Sequence, residues 1–137
     1  MKLLTLTCLL LTPFAAQAAP LDKLPLSAGF YVTQGTSCAE ASNATLTLVG
    51  GQTFNWPQQA CAVQSIDQTG PTQYAVTMAC EATADFPAET LSIKLEIPSE
   101  KAYGLSFEDE PPAMSSFCPQ AEMPEPWRSN DLSSILK

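Results

Sequence analysis

Apolar and polar residues alternate along the middle of the chain, and this alternation predicts antiparallel strands. Residues 91–97 are apolar at every second position, which is typical of a strand that buries one face. Residues 102–107 continue the same period, and residues 98–101 (Pro-Ser-Glu-Lys) between them favour a turn. We therefore expect a hairpin with one apolar face, because a slip of one residue would expose one strand's apolar set. The predicted pairs are Ile97 with Tyr103, Leu95 with Leu105 and Ile93 with Phe107.

A second hairpin is predicted around two consecutive glycines. Residues 44–49 and 52–56 flank Gly50 and Gly51, and a Gly-Gly dipeptide suits the tight primed turn between antiparallel strands. Two leucines of the first strand are expected to face the core: Leu46 and Leu48.

A third hairpin is predicted from residues 61–66 and 73–80, which flank a turn at residues 67–71. Residues 29–33 are expected to begin the sheet, and no stretch of ten residues in this region has helical periodicity. In the second strand of the third hairpin one face is predicted to carry Tyr74, Val76, Met78 and Cys80. The pattern as a whole predicts an all-β fold, a small antiparallel β-sandwich or barrel.

The first 18 residues have the order of features found in a secretory signal peptide. Lys2 precedes an apolar run at residues 3–11, and Ala16-Gln17-Ala18 offers a small-x-small cleavage site. The run is too short to span a bilayer as a helix. We expect cleavage after Ala18, which also removes Cys8, and export to the periplasm or the medium without membrane insertion.

Four cysteines remain after this cleavage, and in an exported chain they predict two disulfides. Wide gaps and the lack of a Cys-x-x-Cys pair argue against zinc, so we expect no metal. If the strands of the Gly50-Gly51 hairpin are extended outward, Cys38 comes to lie near Cys61. This favours the disulfides Cys38–Cys61 and Cys80–Cys118. The alternative joins Cys61 to Cys80 across their own hairpin and Cys38 to Cys118.

The last part of the chain is rich in proline, which removes backbone donors and favours irregular structure. We expect residues 19–110 to form the antiparallel β domain and residues 111–137 to form a Pro-rich segment, wrapped over the sheet and tethered by Cys118. This segment is expected to end in a short helix capped by Asn130, or in disorder after Trp127. The apolar face of that helix would carry Leu132, Ile135 and Leu136.

The charge of the chain and its lack of histidine argue against several classes of function. The 137 residues contain 14 Asp and Glu, 6 Lys and Arg and no His, with a formal net charge of −8. Such a chain lacks the basic surface that nucleic acid requires, and it cannot form a Ser-His-Asp or Cys-His catalytic system. We expect no catalytic site and no cofactor. The catalytic alternative is a glycan-active enzyme that uses two carboxyl groups.

The remaining function class is a non-catalytic binding or inhibitor-like module, which an acidic surface would direct to a basic partner in the cell envelope. The acidic cluster Glu108-Asp109-Glu110 lacks the surroundings of a calcium loop and favours a solvated sheet edge. The candidate partner contacts are Trp127, Glu108, Asp109 and Glu110. A structural or assembly role in the envelope is the alternative. In size, charge and compartment the chain resembles small periplasmic inhibitors of lysozyme, although no motif transfers residue roles from that family.

Overall fold

The computed structural model describes residues 19–108 and 110–136. Within these residues the regular structure consists of nine strands and three short 3₁₀ helices, Cys38–Glu40, Gln120–Glu122 and Trp127–Ser129. No helix in this part of the chain is long and apolar enough to cross a membrane. The strands are β1 (Ala19–Pro20), β2 (Gly29–Thr33), β3 (Leu46–Val49), β4 (Phe54–Asn55), β5 (Cys61–Gln68), β6 (Gln73–Cys80), β7 (Glu89–Ser99), β8 (Ala102–Ser106) and β9 (Ala113–Cys118).

The strands form a nearly closed antiparallel barrel in which, from β2 onwards, neighbours in the chain are neighbours in the sheet. From β5 to β9 each strand pairs with the next, β9 returns to β2, and β2 continues through β3 to β4. A bridge between Thr53 and Ala62 brings β4 beside β5, so that eight strands surround the interior. The predicted all-β class is confirmed, and of the two predicted architectures the structure has the barrel. β1 is a short addition that pairs with the far end of β5.

Two of the predicted hairpins have the predicted faces. Residue Leu95 pairs with Leu105 in the β7–β8 hairpin, and the four predicted inward residues of β6 are all buried. The other two predicted pairs are not part of the ladder. The register shifts between Glu96 and Ser99, which removes the pair Ile97–Tyr103, and β8 ends at Ser106, before Phe107 could pair with Ile93. The backbone then turns through Glu108, whose φ is 52°, and this places Phe107 in a connection rather than in the sheet.

One end of the barrel is closed by the segment that precedes β2. Leu24 is buried in the interior cluster, and Leu21 and Leu26 pack against it. The Tyr31 hydroxyl lies 2.9 Å from the carbonyl oxygens of both Ser27 and Glu100, which ties this segment to the β7–β8 turn. Burial raises the pKa of Tyr31 above its ordinary range, and nearby Tyr103 and Glu100 act in the same direction. We call this the closed end.

A second core lies outside the barrel, where the C-terminal segment covers β2 and β3. Met123 and Leu132 of that segment are buried against Phe30, Val32 and Leu46. The expectation that Leu46 and Leu48 face the barrel interior is therefore wrong: Leu46 belongs to this outer core, and Leu48 packs against it. Both faces of β3 are covered here, so alternation alone does not indicate which face is the interior.

The disulfides are Cys38–Cys118 and Cys61–Cys80, so the favoured pairing is wrong and the alternative is confirmed. Cys61 and Cys80 are direct partners across β5 and β6. The chain between β2 and β3 folds back over the outer core, and Cys38 therefore lies beside Cys118 instead of continuing the β3–β4 hairpin towards Cys61.

The C-terminal segment is tethered by Cys118 as predicted, but two of its details differ from expectation. Strand β9 was not predicted, because it lies between Pro112 and Pro119; both prolines fall outside the strand and remove no ladder donor. The expected helix from Asn130 is wrong. The chain makes a single turn there, in which the Ile135 and Leu136 amides donate to the Leu132 carbonyl at 2.9 and 3.0 Å.

Gly29 begins β2 in a conformation that other residues rarely adopt, with φ of 148°, and an added Cβ would lie 2.6 Å from the Phe117 ring. We expect Gly29→Ala to lower the free energy of unfolding by about 2–4 kcal/mol, from backbone strain and the ring contact together. Gly35 is the matched control, since its φ is 92° and an added Cβ would meet nothing within 4 Å. Urea denaturation checks this; equal losses in the two variants would contradict the role of Phe117.

Candidate functional site

The barrel opens at the end opposite the closed end, and we call this the open end. It carries the β2–β3, β4–β5, β6–β7 and β8–β9 connections, and residues of all four line a cavity of about 370 Å³. Interior side chains of β2, β7, β8 and β9 line the deeper walls, and aromatic side chains of the connections line the mouth. The mouth of a barrel is one of the places where ligand sites occur preferentially.

Hydroxyl groups run across one wall of this cavity in a row set by strand register. Tyr103 on β8 is paired with Ser115 on β9, and Ser115 is paired with Thr33 on β2. The Thr33 amide donates to the carbonyl of Thr45 at 2.9 Å, which places Thr45 next in line. All four side chains line the cavity, and we call them the hydroxyl row.

The inner end of the hydroxyl row is buried. Burial raises the pKa of Tyr103, and side-chain hydrogen bonds with Thr47 and Ser115 act in the opposite direction. Because burial dominates, the Tyr103 hydroxyl stays neutral at physiological pH and can both donate and accept a hydrogen bond. The outer members of the row also have partners, since the Thr33 hydroxyl donates to the Thr45 carbonyl at 3.2 Å and the Thr45 hydroxyl accepts from the Ser42 amide at 3.0 Å. The row is therefore an uncharged polar strip, bonded within the protein, in a mostly apolar cavity.

The other walls are apolar, and their outer part is exposed. Leu91, Leu105 and Trp56 are half-buried lining residues. Phe86 and Phe107, at the mouth, are 40% and 45% exposed. Among the described residues, one other large hydrophobic side chain is similarly exposed: Leu136, on the C-terminal segment. Two exposed aromatic rings at one opening form the kind of apolar patch that marks interaction sites.

A buried glutamine holds the β6–β7 connection in place. The side-chain amide of Gln59 donates to the carbonyl oxygens of Glu81 at 3.1 Å and Pro87 at 3.3 Å. Within the connection, the Thr83 amide donates to the Phe86 carbonyl at 2.8 Å, and the Phe86 amide donates to the Thr83 hydroxyl at 3.2 Å. These contacts fix the backbone that carries Phe86, although residues 81–90 are all exposed.

Acidic residues are frequent on the connections of the open end. The described residues of the β6–β7 and β8–β9 connections include neither Lys nor Arg. The Lys94 ammonium reaches this end from β7 and donates to the Glu108 carbonyl at 2.9 Å. Glu89 lines the cavity itself. We call the following exposed residues the acidic rim: Glu81, Asp85, Glu89, Glu108 and Glu110.

The predicted partner contacts fall in two places. Glu108 and Glu110 lie on the β8–β9 connection at the open end, and Asp109 lies outside the described residues. Trp127 lies on the outer face, packed against the outer core, where it lines a groove shared with Trp56. No group of three or more Asp, Glu or Cys side chains in the described part of the chain is arranged to hold a metal ion.

Sequence reasoning missed Phe86, Gln59 and Glu89 and expected Phe107 inside the sheet. A single aromatic residue within the polar stretch at residues 81–88 was the available indication for Phe86. No feature of the sequence indicated Gln59, because its role depends on two carbonyl groups more than twenty residues away in the chain.

No protein-family profile, curated protein or solved structure matches the chain.

Proposed function

We propose that the protein is an exported, non-catalytic binding module that binds a basic protein at the open end of its barrel. The observation that carries the proposal is the pair of exposed rings, Phe86 and Phe107, inside the acidic rim. Protein interfaces commonly have an apolar aromatic centre and a polar margin. An apolar centre ringed by carboxylates complements a partner that presents an apolar side chain among Lys and Arg residues.

Charge and compartment support the same proposal. A net charge of −8 attracts a basic protein over a long range and raises its association rate. The signal-like residues 1–18 favour export, and the two disulfides are compatible with an oxidising compartment. A basic partner in the envelope would meet the acidic rim under these conditions.

Binding is favoured over turnover by the groups that face the cavity. Carboxylate-based glycoside hydrolysis needs two carboxyl groups on opposite sides of the substrate. Among the described residues that line the cavity, Glu89 is the one that carries a carboxyl group. The chain also has no histidine to serve as a general base.

The first test removes the exposed rings. The mature protein is immobilised and exposed to an envelope extract of its host, and bound proteins are identified and quantified by mass spectrometry. We expect a basic protein to bind, and Phe86→Ala with Phe107→Ala to weaken its binding by about tenfold or more, since central aromatic residues dominate interface energies. Leu136→Ala, which removes an equally exposed residue outside the open end, should leave binding unchanged.

The second test removes charge. Glu81→Gln, Asp85→Asn and Glu89→Gln together should slow association and reduce its salt dependence. Glu96→Gln, Glu100→Gln and Glu122→Gln change the net charge equally, outside the acidic rim. Equal effects of the two triple variants would overturn the proposal, as would unchanged binding by the double phenylalanine variant.

A further inference from the structure

We infer that the cavity at the open end is itself a site for a small amphiphilic amine, a molecule with an apolar ring and a cationic group at its far end. This site is distinct from the protein-binding role proposed for the open end, because it uses the cavity walls rather than the exposed rings alone and requires no partner protein.

The size of the cavity suits a small molecule. Its volume of about 370 Å³ lies within the range of small-molecule pockets, which is roughly 300–1,000 Å³. Barrels of eight strands have interiors that hold at most one small ligand. Tyr103, a buried lining residue, packs against Phe54 with 5.3 Å between the ring centroids.

The cavity walls contact a ligand mainly through apolar groups. The hydroxyl row already has partners within the protein: Thr33 donates to the Thr45 carbonyl at 3.2 Å, Thr45 bonds with Ser42, and Tyr103 bonds with Thr47 and Ser115. The row therefore requires no hydrogen-bonding group from a ligand. On the apolar side the lining residues are Leu91, Leu105 and Trp56, and a bound ring packs its apolar face against them.

The groups at the mouth favour a positively charged ligand. Glu89 lines it, and the rest of the acidic rim adds negative potential. The exposed faces of Phe86 and Phe107 can contact a cation through their ring electrons. An ammonium group at the mouth is favoured by both features, whereas a carboxylate there is repelled. The ring therefore lies inside and the amine lies outside.

Three probes that share one bicyclic ring separate these contributions. 5-Hydroxytryptamine has both the hydroxyl and the amine, tryptamine lacks the hydroxyl, and 5-hydroxyindole-3-acetate carries the opposite charge. Each is titrated into the full mature protein, and amide chemical shifts are followed by NMR. We expect tryptamine to bind at least as tightly as 5-hydroxytryptamine, because the hydroxyl row already has partners within the protein. 5-Hydroxytryptamine should bind about tenfold more tightly than the acid, with the largest shifts at Leu91, Leu105 and Ser115.

Two pairs of variants locate the site. Ala113 is exposed and lines the cavity, so Ala113→Trp should fill the mouth and weaken amine binding by about tenfold or more. Ser116→Trp, three residues along β9 on the outward side, is its control. Glu89→Gln should reduce the preference for the amine over the acid by about threefold, and Glu96→Gln on the same strand should not.

The inference is overturned if no probe gives saturable shifts, if the acid binds as tightly as the amine, or if Ala113→Trp and Ser116→Trp behave alike. The outcome is separable from that of the proposed function. Loss of probe binding with intact, Phe86- and Phe107-dependent capture of a basic protein would remove the amine site alone. Probe binding without such capture would remove the protein-binding proposal alone.

Discussion

Replacing Cys38 and Cys118 with alanine is expected to lower the free energy of unfolding by about 4–5 kcal/mol. This bridge joins residues 80 positions apart, and the entropy that a cross-link removes from the unfolded chain grows with the length of the closed loop. For a domain of this size, such a loss is a large share of the total stability. Urea denaturation of the oxidised variants measures it.

The second disulfide is the control for this prediction. Cys61 and Cys80 are only 19 positions apart, so their replacement with alanine should cost about 3 kcal/mol by the same argument. The Cys38–Cys118 bridge also holds the chain that covers the outer core, and its loss should speed amide hydrogen exchange around Met123 and Leu132. A larger loss from the Cys61–Cys80 variant would contradict the claim that the Cys38–Cys118 bridge contributes more to stability.

Phe54→Ala is expected to lower the free energy of unfolding by about 3–5 kcal/mol, the usual cost of removing a buried ring. Phe54 is fully buried, and its ring lies 5.5 Å from Trp56 and 5.3 Å from Tyr103 between centroids. Strand β4 has two residues, so its position depends on this packing more than on its ladder. Thermal and urea unfolding check the value.

Phe86→Ala is the matched control for that substitution, since the Phe86 ring is 40% exposed at the open end. It should change stability by less than about 1 kcal/mol. A similar loss in both variants would mean that Phe86 is part of the core, and the open end would then lose one of its two exposed rings.

The alternation of apolar and polar residues was sufficient to predict strand pairing where one face of a strand is buried and the other is solvated. The β7–β8 hairpin is of this kind, and the pair Leu95–Leu105 follows from its alternation. The pattern was insufficient for β3, because the C-terminal segment buries the second face as well. Strand β9 escaped prediction because the prolines that flank it suggested irregular structure. The error at β3 therefore comes from a contact between distant segments, whereas the error at β9 comes from prolines that lie just outside the strand.

The open end could be predicted only in part. The acidic run at residues 108–110 was visible in the sequence, and Glu108 and Glu110 do lie at the mouth of the barrel. The exposed position of Phe107 depends on where β8 stops, and alternation continues past that point without a break. The hydroxyl row depends on the register of four neighbouring segments, and none of its members stands out alone.

The most direct test of the central claim is a hydrogen-exchange footprint of the native protein with and without its bound basic partner. The account predicts slower exchange in the β4–β5, β6–β7 and β8–β9 connections, with residues 20–28 at the closed end unchanged. Protection confined to residues 20–28 or to the C-terminal segment, with exchange at the open end unaltered, would contradict it.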